Sequence, residues 1–215
     1  MDRPLRLGLM VSKGGRTAEN LVMRITAGEV PAVAAIAIGH HADAPAAMRM
    51  RRLDVPFTTI PSPPIGSLDD EAAAGIADRI DEALEAAEVD LVCLCGYLRR
   101  FRVGRRWSGR AINIHPALLP EFGGPGFHGL AVHRAVLASG TTETGCTVHW
   151  IDEQYDRGEI LLQRRCPVEP GDTAESLAAR VFEQECLAFP QAVVRIARED
   201  LLPTSSEAPP SSAGT

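Results

Sequence analysis

Short apolar runs alternate with segments of helical periodicity through the first 95 residues of the chain. The runs lie at 5–11, 32–38, 55–60 and 90–95 and are typical of buried strands. The segments between them predict helices over 18–27, 44–52 and 69–87, with a Pro-rich loop at 61–67. Strands and helices that alternate at such short intervals predict an α/β fold, with a mostly parallel sheet and helices on both faces.

The pattern changes in the second half of the chain. A strand at 111–114 precedes a Gly-rich loop at 122–129 and a helix from Leu130 to Ser139. The strand-like runs 145–151 and 159–168 flank a turn at 156–158, which predicts an antiparallel pair. The last helix is expected to have Thr173 or Asp172 as its N-cap, to run to about Phe189, to break at Pro190 and to resume after it.

These elements predict a single domain over residues 1–201. From residue 202 the chain is rich in Pro, Ser and Ala, a composition that cannot bury a core. We expect residues 202–215 to form a disordered tail.

Composition narrows the class of protein. The chain is 45% hydrophobic and 23% charged with a net charge of −6, as in many globular domains. An acidic chain argues against a nucleic-acid partner, and the absence of a long apolar run argues against a membrane span. The start has no signal-peptide pattern, so we expect a cytoplasmic location. Five scattered cysteines predict reduced thiols and no metal site.

The strongest candidate for chemistry is the segment Asn113-Ile114-His115-Pro116-Ala117-Leu118-Leu119-Pro120. Asn113 and His115 are two residues apart at a strand end, so their side chains point to the same side. A carboxamide beside an imidazole can stabilise an oxyanion and move a proton at one carbon centre. On the residues alone, a structural role is the commoner one for such a pair.

Three blocks of the sequence together resemble the folate-dependent formyltransferases. They are N-x-H-P-x-L-L-P at 113–120, G-x-T-V-H-W-I-D-E-x-Y-D-x-G from residue 145, and P-V-x-P-G-D-T-x-x-S-L from residue 167. The resemblance extends over about 5–195 and implies a Rossmann-like fold. It implies transfer of a formyl group from the co-substrate 10-formyl-tetrahydrofolate to an amine. The short chain and the loop at 123–129 favour the members that formylate glycinamide ribonucleotide in purine biosynthesis.

The resemblance also implies roles for individual residues. Asn113, His115 and Asp156 form the implied catalytic set, in which a partly protonated His115 and Asn113 stabilise the oxyanion and Asp156 takes part in proton transfer. His149 either faces the same pocket or is a core histidine.

The resemblance implies that the part of the domain up to about residue 100 binds phosphate or nucleotide and that the remainder binds folate and contains the catalytic set. The acceptor's phosphate or nucleotide is expected at Gly15, Arg16, Thr17, Gly96, Pro116 and Glu185. Reduced folate is expected at Leu98, Arg99, Phe101, Ile151 and Asp152. The family pattern S-G-x-G-S-N is Ser12-Lys13-Gly14-Gly15-Arg16-Thr17 here, and Phe182 replaces a polar contact. Arg and Thr can still donate to phosphate.

The altered loop leaves alternatives for the function. The acceptor could be another amine, such as an amino sugar nucleotide, or water, as in a formyl-folate hydrolase. A non-catalytic nucleotide-binding module is disfavoured because Asn113, His115 and Asp156 are all present. We expect small-molecule partners only, and a monomer or homodimer.

Overall fold

The computed structural model describes residues 3–62 and 70–203. Within them, seven strands form one sheet: β1 (Leu5–Met10), β2 (Ala32–Gly39), β3 (Phe57–Thr59), β4 (Leu91–Leu94), β5 (Ala111–His115), β6 (Glu143–Trp150) and β7 (Ile160–Pro167). The helices are α1 (Arg16–Thr26), α2 (Pro45–Arg52), α3 (Asp70–Ala86), α4 (Gly104–Trp107), α5 (Leu130–Ser139) and α6 (Ala174–Glu199). The predicted α/β fold is confirmed.

The strand order is β3-β2-β1-β4-β5-β6-β7. Neighbouring strands from β3 to β5 in this order are parallel to one another. Strand β6 is antiparallel to both of its neighbours, β5 and β7, which agrees with the predicted antiparallel C-terminal part. After β3 at one edge, the chain returns across the sheet and forms β4 on the other side of β1. The carboxyl ends of β1 and β4 therefore flank the point at which the strand order reverses, where open α/β sheets bind ligands.

Each face of the sheet packs against its own group of helices. Leu7 and Leu9 of β1 lie in the core that α1 and α6 cover, while Met10 lies in the core on the α3 side. A Cβ at Gly8 would lie 2.5 Å from Cδ2 of Leu84, so α3 can approach β1 this closely only over a glycine.

Several elements differ from the prediction at their ends, and one helix was not predicted. Helix α1 begins at Arg16 rather than residue 18, because Gly15 is its N-cap and the Gly15 carbonyl accepts from Glu19 N at 2.9 Å. Strand β3 is limited to Phe57–Thr59, and the short helix α4 was not predicted. Of the Pro-rich loop, residues 63–67 lie outside the described ranges.

The predicted break in the last helix is wrong. Helix α6 is 26 residues long and continues without a break through Pro190. Its N-cap is Thr173, which forms a capping box with Ser176. A proline leaves the carbonyl four residues earlier without its helical donor. Here that carbonyl, on Cys186, accepts from Nδ2 of Asn20 at 2.9 Å. Helix α1 therefore supplies the hydrogen bond that Pro190 removes.

The described chain ends just inside the predicted tail. The Pro203 carbonyl accepts from Nη2 of Arg110 at 2.6 Å, and residues 204–215 lie outside the described ranges. All five cysteines are free thiols. No helix in the described ranges has the length and apolar character that crossing a membrane requires.

Candidate active site

Asn113 and His115 lie at the carboxyl end of β5, on the same side of the strand, as predicted. In the antiparallel ladder, Asn113 is the partner of His149 on β6. Opposite residues of a ladder share a face, so β5 and β6 together place a carboxamide and two imidazoles on one side of the sheet. Both imidazoles are almost fully buried, since His115 is 3% and His149 is 2% exposed.

Asp156 reaches this group from the β6–β7 connection. Its backbone is left-handed, with φ at 55°, a conformation that aspartate adopts more readily than most residues. Two residues later, a Cβ at Gly158 would lie 1.8 Å from the Trp150 carbonyl oxygen. The connection therefore closes this tightly only with glycine, and the closure brings the Asp156 carboxylate to the end of β5.

The Asp156 carboxylate lies at the centre of the group. Oδ1 is 3.6 Å from Nε2 of His149 and 3.5 Å from Nδ2 of Asn113. Oδ2 is 3.6 Å from Nδ1 of His115 and accepts from Gly124 N at 2.9 Å. The structure thus brings together the three predicted catalytic residues and adds His149 to them.

The hydrogen bonds of His149 determine its tautomer. Nδ1 is 2.7 Å from the Trp150 carbonyl, which can only accept, so Nδ1 carries the proton. In the neutral ring Nε2 is then an acceptor, and Nδ2 of Asn113 donates to it at 3.2 Å. His149 therefore fixes the Asn113 amide with its NH₂ group toward the imidazole and Asp156.

His115 is oriented by the loop that follows it. Its Nε2 donates to the Phe122 carbonyl at 2.7 Å, which leaves Nδ1 facing Asp156. Phe122 has a left-handed φ of 54°. At the next residue, Gly123, a Cβ would lie 2.5 Å from Cδ2 of Leu119, so any side chain there would require Leu119 to shift. The loop backbone thus directs one carbonyl at the His115 imidazole.

Burial and neighbouring charges set the protonation of this pair. Burial lowers the pKa of His115 below 6.5, although Asp156 and the Phe122 carbonyl favour the imidazolium. Burial raises the pKa of Asp156, but its interactions with His149 and His115 and the hydrogen bond from Gly124 N outweigh this effect, and the net shift is downward. A neutral His115 beside an ionised Asp156 therefore predominates near pH 7, in contrast to the partly protonated His115 of the sequence prediction.

The predicted phosphate loop lies at the carboxyl end of β1 and turns into α1. Gly15 has a left-handed φ of 70°, and a Cβ there would lie 2.7 Å from Cβ of Ala46. Two carbonyls of the loop face α2: Lys13 O accepts from Ala46 N at 3.1 Å, and Gly14 O accepts from Nε of Arg49 at 3.0 Å. Gly15, the N-cap of α1, forms no side-chain cap hydrogen bond, so the N–H groups of the first turn are left without a capping side chain.

Side chains of α6 lie against the first turn of α1. Oγ1 of Thr17 donates to Oε2 of Glu185 at 3.5 Å, and the Arg16 guanidinium lies 3.8 Å from the centroid of the Phe182 ring. Burial raises the pKa of Glu185 to about 7, against the opposing effects of Thr17 and the Arg16 charge. The structure therefore brings three of the predicted acceptor-site residues, Arg16, Thr17 and Glu185, to one place.

The segment after β4 contains the remaining residues that were predicted near both sites. Gly96 is left-handed at φ 75°. Leu98 N donates to Oγ of Ser12 at 2.6 Å, which ties this segment to the phosphate loop. Nε of Arg99 donates to the Ser62 carbonyl at 3.0 Å. Phe101 packs into the core on the α3 side and is 8% exposed, so only its edge is accessible.

Two predicted folate residues follow β6. Ile151 N donates to the Ala111 carbonyl at 2.9 Å, and its side chain packs on the same core as Phe101. Oδ1 of Asp152 accepts from Gln154 N at 2.7 Å, which shapes the start of the connection that carries Asp156. Pro116, directly after His115, is half-buried.

Sequence reasoning missed a buried pair beside these loops. Oγ of Ser12 lies 2.8 Å from Nε2 of His40, and both side chains are almost fully buried. Burial, with a smaller effect of the Arg99 charge, lowers the pKa of His40 to about 4. Their positions in the sequence could have revealed the pair, because Ser12 and His40 are the first polar residues after the apolar runs of β1 and β2. Among the described residues, no cluster of three or more His, Cys, Asp or Glu is placed to bind a metal ion.

A sequence model of the formyl transferase family matches residues 5–193. The chain belongs to this family. The match includes the Asn113–His115 strand, the Asp156 connection and most of α6, so the whole site described above lies within it. The resemblance stated from the sequence motifs is confirmed.

Individual formyltransferases resemble the chain along most of its length. The chloroplastic phosphoribosylglycinamide formyltransferase of Vigna unguiculata is 35% identical over 202 residues, which cover 93% of this chain and 63% of that protein. The crystal structure of glycinamide ribonucleotide transformylase 1 from Symbiobacterium toebii has a TM-score of 0.81 at 32% identity, covering 93% of this chain and 90% of that chain. The trifunctional purine biosynthetic protein adenosine-3 of Drosophila pseudoobscura pseudoobscura is 46% identical over 116 residues, 53% of this chain. The chain spans 63% of the Vigna protein and 8% of the Drosophila one.

Proposed function

We propose that this formyltransferase moves the formyl group of 10-formyl-tetrahydrofolate to the amino group of glycinamide ribonucleotide. The observation that carries the proposal is the position of the Asp156 carboxylate, within 3.6 Å of both His115 and His149 and 3.5 Å from the Asn113 amide. Formyl transfer needs a donor for an oxyanion and an acceptor for an amine proton at one carbon, and this group supplies both.

In the first step, the amine nitrogen attacks the formyl carbon and the carbonyl oxygen becomes an oxyanion. One Nδ2 hydrogen of Asn113 is engaged by His149 at 3.2 Å, while the contact with Asp156 is longer at 3.5 Å. We assign the second hydrogen to the oxyanion. Since His149 already orients the amide, little reorganisation is needed as the charge develops.

The amine proton then passes to the His115–Asp156 pair, directly or through water. Nδ1 of His115 carries a lone pair toward the Asp156 carboxylate, so the pair can take up one proton between them. The imidazolium that forms is stabilised by Asp156 and lies beside the oxyanion. When the intermediate collapses, the bond from carbon to N10 of the folate breaks and N10 receives the proton, which gives the formamide product and tetrahydrofolate.

The two substrates are placed on either side of this centre. We assign the acceptor's phosphate to the α1 N-terminus with Gly15, Arg16 and Thr17, since exposed N–H groups at a helix start bind phosphate. Gly96, Pro116 and Glu185 are assigned to the rest of the acceptor. Reduced folate is assigned to Leu98, Arg99, Phe101, Ile151 and Asp152, which belong to the segments after β4 and β6.

The test is a direct assay of the purified chain with 10-formyl-tetrahydrofolate, in which deformylation is followed by absorbance with and without glycinamide ribonucleotide. Turnover that requires both substrates is the expected result. Turnover without the ribonucleotide would instead identify a formyl-folate hydrolase. Turnover only with another amine, such as an amino sugar nucleotide, would show that glycinamide ribonucleotide is not the acceptor, although formyl transfer would still be the reaction.

The proposed steps involve no metal. A cytoplasmic location and a monomeric or homodimeric state stay predictions from the sequence.

A further inference from the structure

The guanidinium of Arg16 has an unusual neighbour for a group at a phosphate loop. Arg16 is the first residue of α1, and its guanidinium carbon lies 3.8 Å from the centroid of the Phe182 ring on α6. Among the described residues, no carboxylate forms an ion pair with it. Its positive charge is therefore stacked on an aromatic face without being neutralised.

Stacking determines which part of the guanidinium remains available. A planar guanidinium that lies over a ring covers one face and leaves its N–H donors, which lie in the plane, at the rim. Arg16 is exposed to solvent, while the Phe182 ring is half-buried. The donors at the rim can thus form the bidentate contact that arginine makes with phosphate oxygens.

The surroundings favour an anion at that rim. The carbonyls of Lys13 and Gly14 are bound by Ala46 and Arg49 of α2, so they do not face the start of α1. Three residues beyond Phe182 on the same face of α6, Glu185 is bound by Thr17, and burial shifts its carboxyl toward the neutral form. The charge of Arg16 is therefore only weakly compensated locally.

We propose that Phe182 is a positioning residue, which orients Arg16 for in-plane recognition of a phosphate monoester on the acceptor. The inference rests on the proposed function, because the ligand is the phosphate of the formyl acceptor. Two departures from the family's sequence pattern, at residues 16 and 182, thereby form one recognition device. An acceptor without a terminal phosphate monoester would gain nothing from it.

Kinetics with glycinamide ribonucleotide and with its dephosphorylated nucleoside test this role. F182L keeps an apolar side chain but removes the aromatic face. It is expected to raise KM for the ribonucleotide about two- to fivefold, with kcat, the folate KM and the nucleoside KM unchanged. F182Y retains the ring and is expected to match the wild type. R16A is expected to raise KM for the ribonucleotide about ten- to hundredfold, and R16A/F182L no further.

The chain offers a matched control in its second guanidinium–aromatic contact. Arg106 lies 5.5 Å from the Trp107 ring centroid, outside the site, and R106A is expected to leave all of these constants unchanged. Additive effects of R16A and F182L, or a rise of KM for both acceptors in F182L, would overturn the positioning role.

A binding experiment separates this inference from the proposed reaction. Calorimetric titration with inorganic phosphate at low ionic strength is expected to show weaker binding to F182L than to the wild type and F182Y. That result would support the role of Phe182 even if glycinamide ribonucleotide were not formylated. Equal phosphate affinity of F182L and the wild type, or no binding by the wild type, would refute it even if formylation occurred.

Discussion

Oδ2 of Asp156 and Nδ1 of His115 face one another at 3.6 Å, while Nε2 of the same imidazole donates to a backbone carbonyl. The ring therefore has a single position at which it can gain a proton, and that position faces the carboxylate. Neutral imidazole and ionised carboxylate make a pair that is ready to accept one proton and to return it.

Replacing Asp156 by Asn removes the negative charge and retains the shape of the side chain. The expected result is a fall in kcat of about 10²- to 10⁴-fold, the usual contribution of a positioned acid–base group. Since the charge of Asp156 raises the pKa of His115, the acidic limb of the pH–rate profile is expected to move to lower pH. Folate affinity, measured by equilibrium titration, serves as the control. A pH–rate profile of D156N identical to that of the wild type would show that Asp156 takes no part in the proton transfer.

Replacing His149 by Phe removes the acceptor that orients Asn113 and also removes the ring nitrogen 3.6 Å from the Asp156 carboxylate. Interactions with His149 lower the pKa of Asp156. We expect kcat to fall about 10- to 100-fold, and the acidic limb of the profile to move to higher pH as Asp156 becomes easier to protonate. H149N, which offers an acceptor oxygen, is expected to recover part of the rate. Equal losses in both variants, with no shift of the profile, would indicate a packing role only.

Ionisation of Glu185 is expected to lower the stability of the fold as pH rises, whereas ionisation of most carboxylates in folded proteins raises it. Its pKa is raised to about 7 from 4.5, so folding favours the neutral form and the charged form costs stability. The cost is absent below about pH 4.5, grows through the interval and is complete above about pH 7. We expect E185Q to raise the free energy of unfolding by about 1 to 3 kcal/mol at pH 8 and to have little effect at pH 4.

Urea titrations of E185Q at the two pH values measure this difference. Acceptor KM is expected to rise in the same variant, because the carboxylate is assigned to the nucleotide site. A stability gain of the same size at both pH values would show that the charge of Glu185 is not its cause.

Asn20 provides a test of why α6 continues through Pro190. N20A leaves the Cys186 carbonyl without its donor and is expected to lower the free energy of unfolding by about 1 to 2 kcal/mol. In a P190A background the helix regains the N–H of residue 190, so the same change is expected to cost less. A double-mutant cycle from urea titrations measures this coupling. Equal costs in both backgrounds would refute the compensation.

The sequence predicted the sheet from local patterns, and it predicted the proposed catalytic group through the resemblance to formyltransferases. Apolar runs of strand length identified the strands, and Asn113, His115 and Asp156 lie in motifs with fixed spacing. Contacts between distant segments could not be read in this way. Residue 190 looked like a helix end because the donor that compensates for it lies on α1, 170 residues away along the sequence.

The same limit applies to the site. The role of His149 was left open because only the register of β5 against β6 places it beside Asn113. The stacking of Arg16 on Phe182 was also hidden, because the two residues lie far apart in the sequence and Phe182 alone looked like the loss of a polar contact. The protonation of His115 depends on burial, which a sequence pattern does not measure.

The loop after His115 has an inner part, residues 122–124, that contacts the site side chains and an outer part, residues 125–129, that forms only local hydrogen bonds among those described. Phe122 and Gly124 supply the backbone groups that fix His115 and Asp156, and none of the hydrogen bonds described for residues 125–129 reaches the catalytic side chains. For protein engineering, residues 125–129 are therefore the part of this loop in which substitutions are expected to leave the hydrogen bonds of His115 and Asp156 intact.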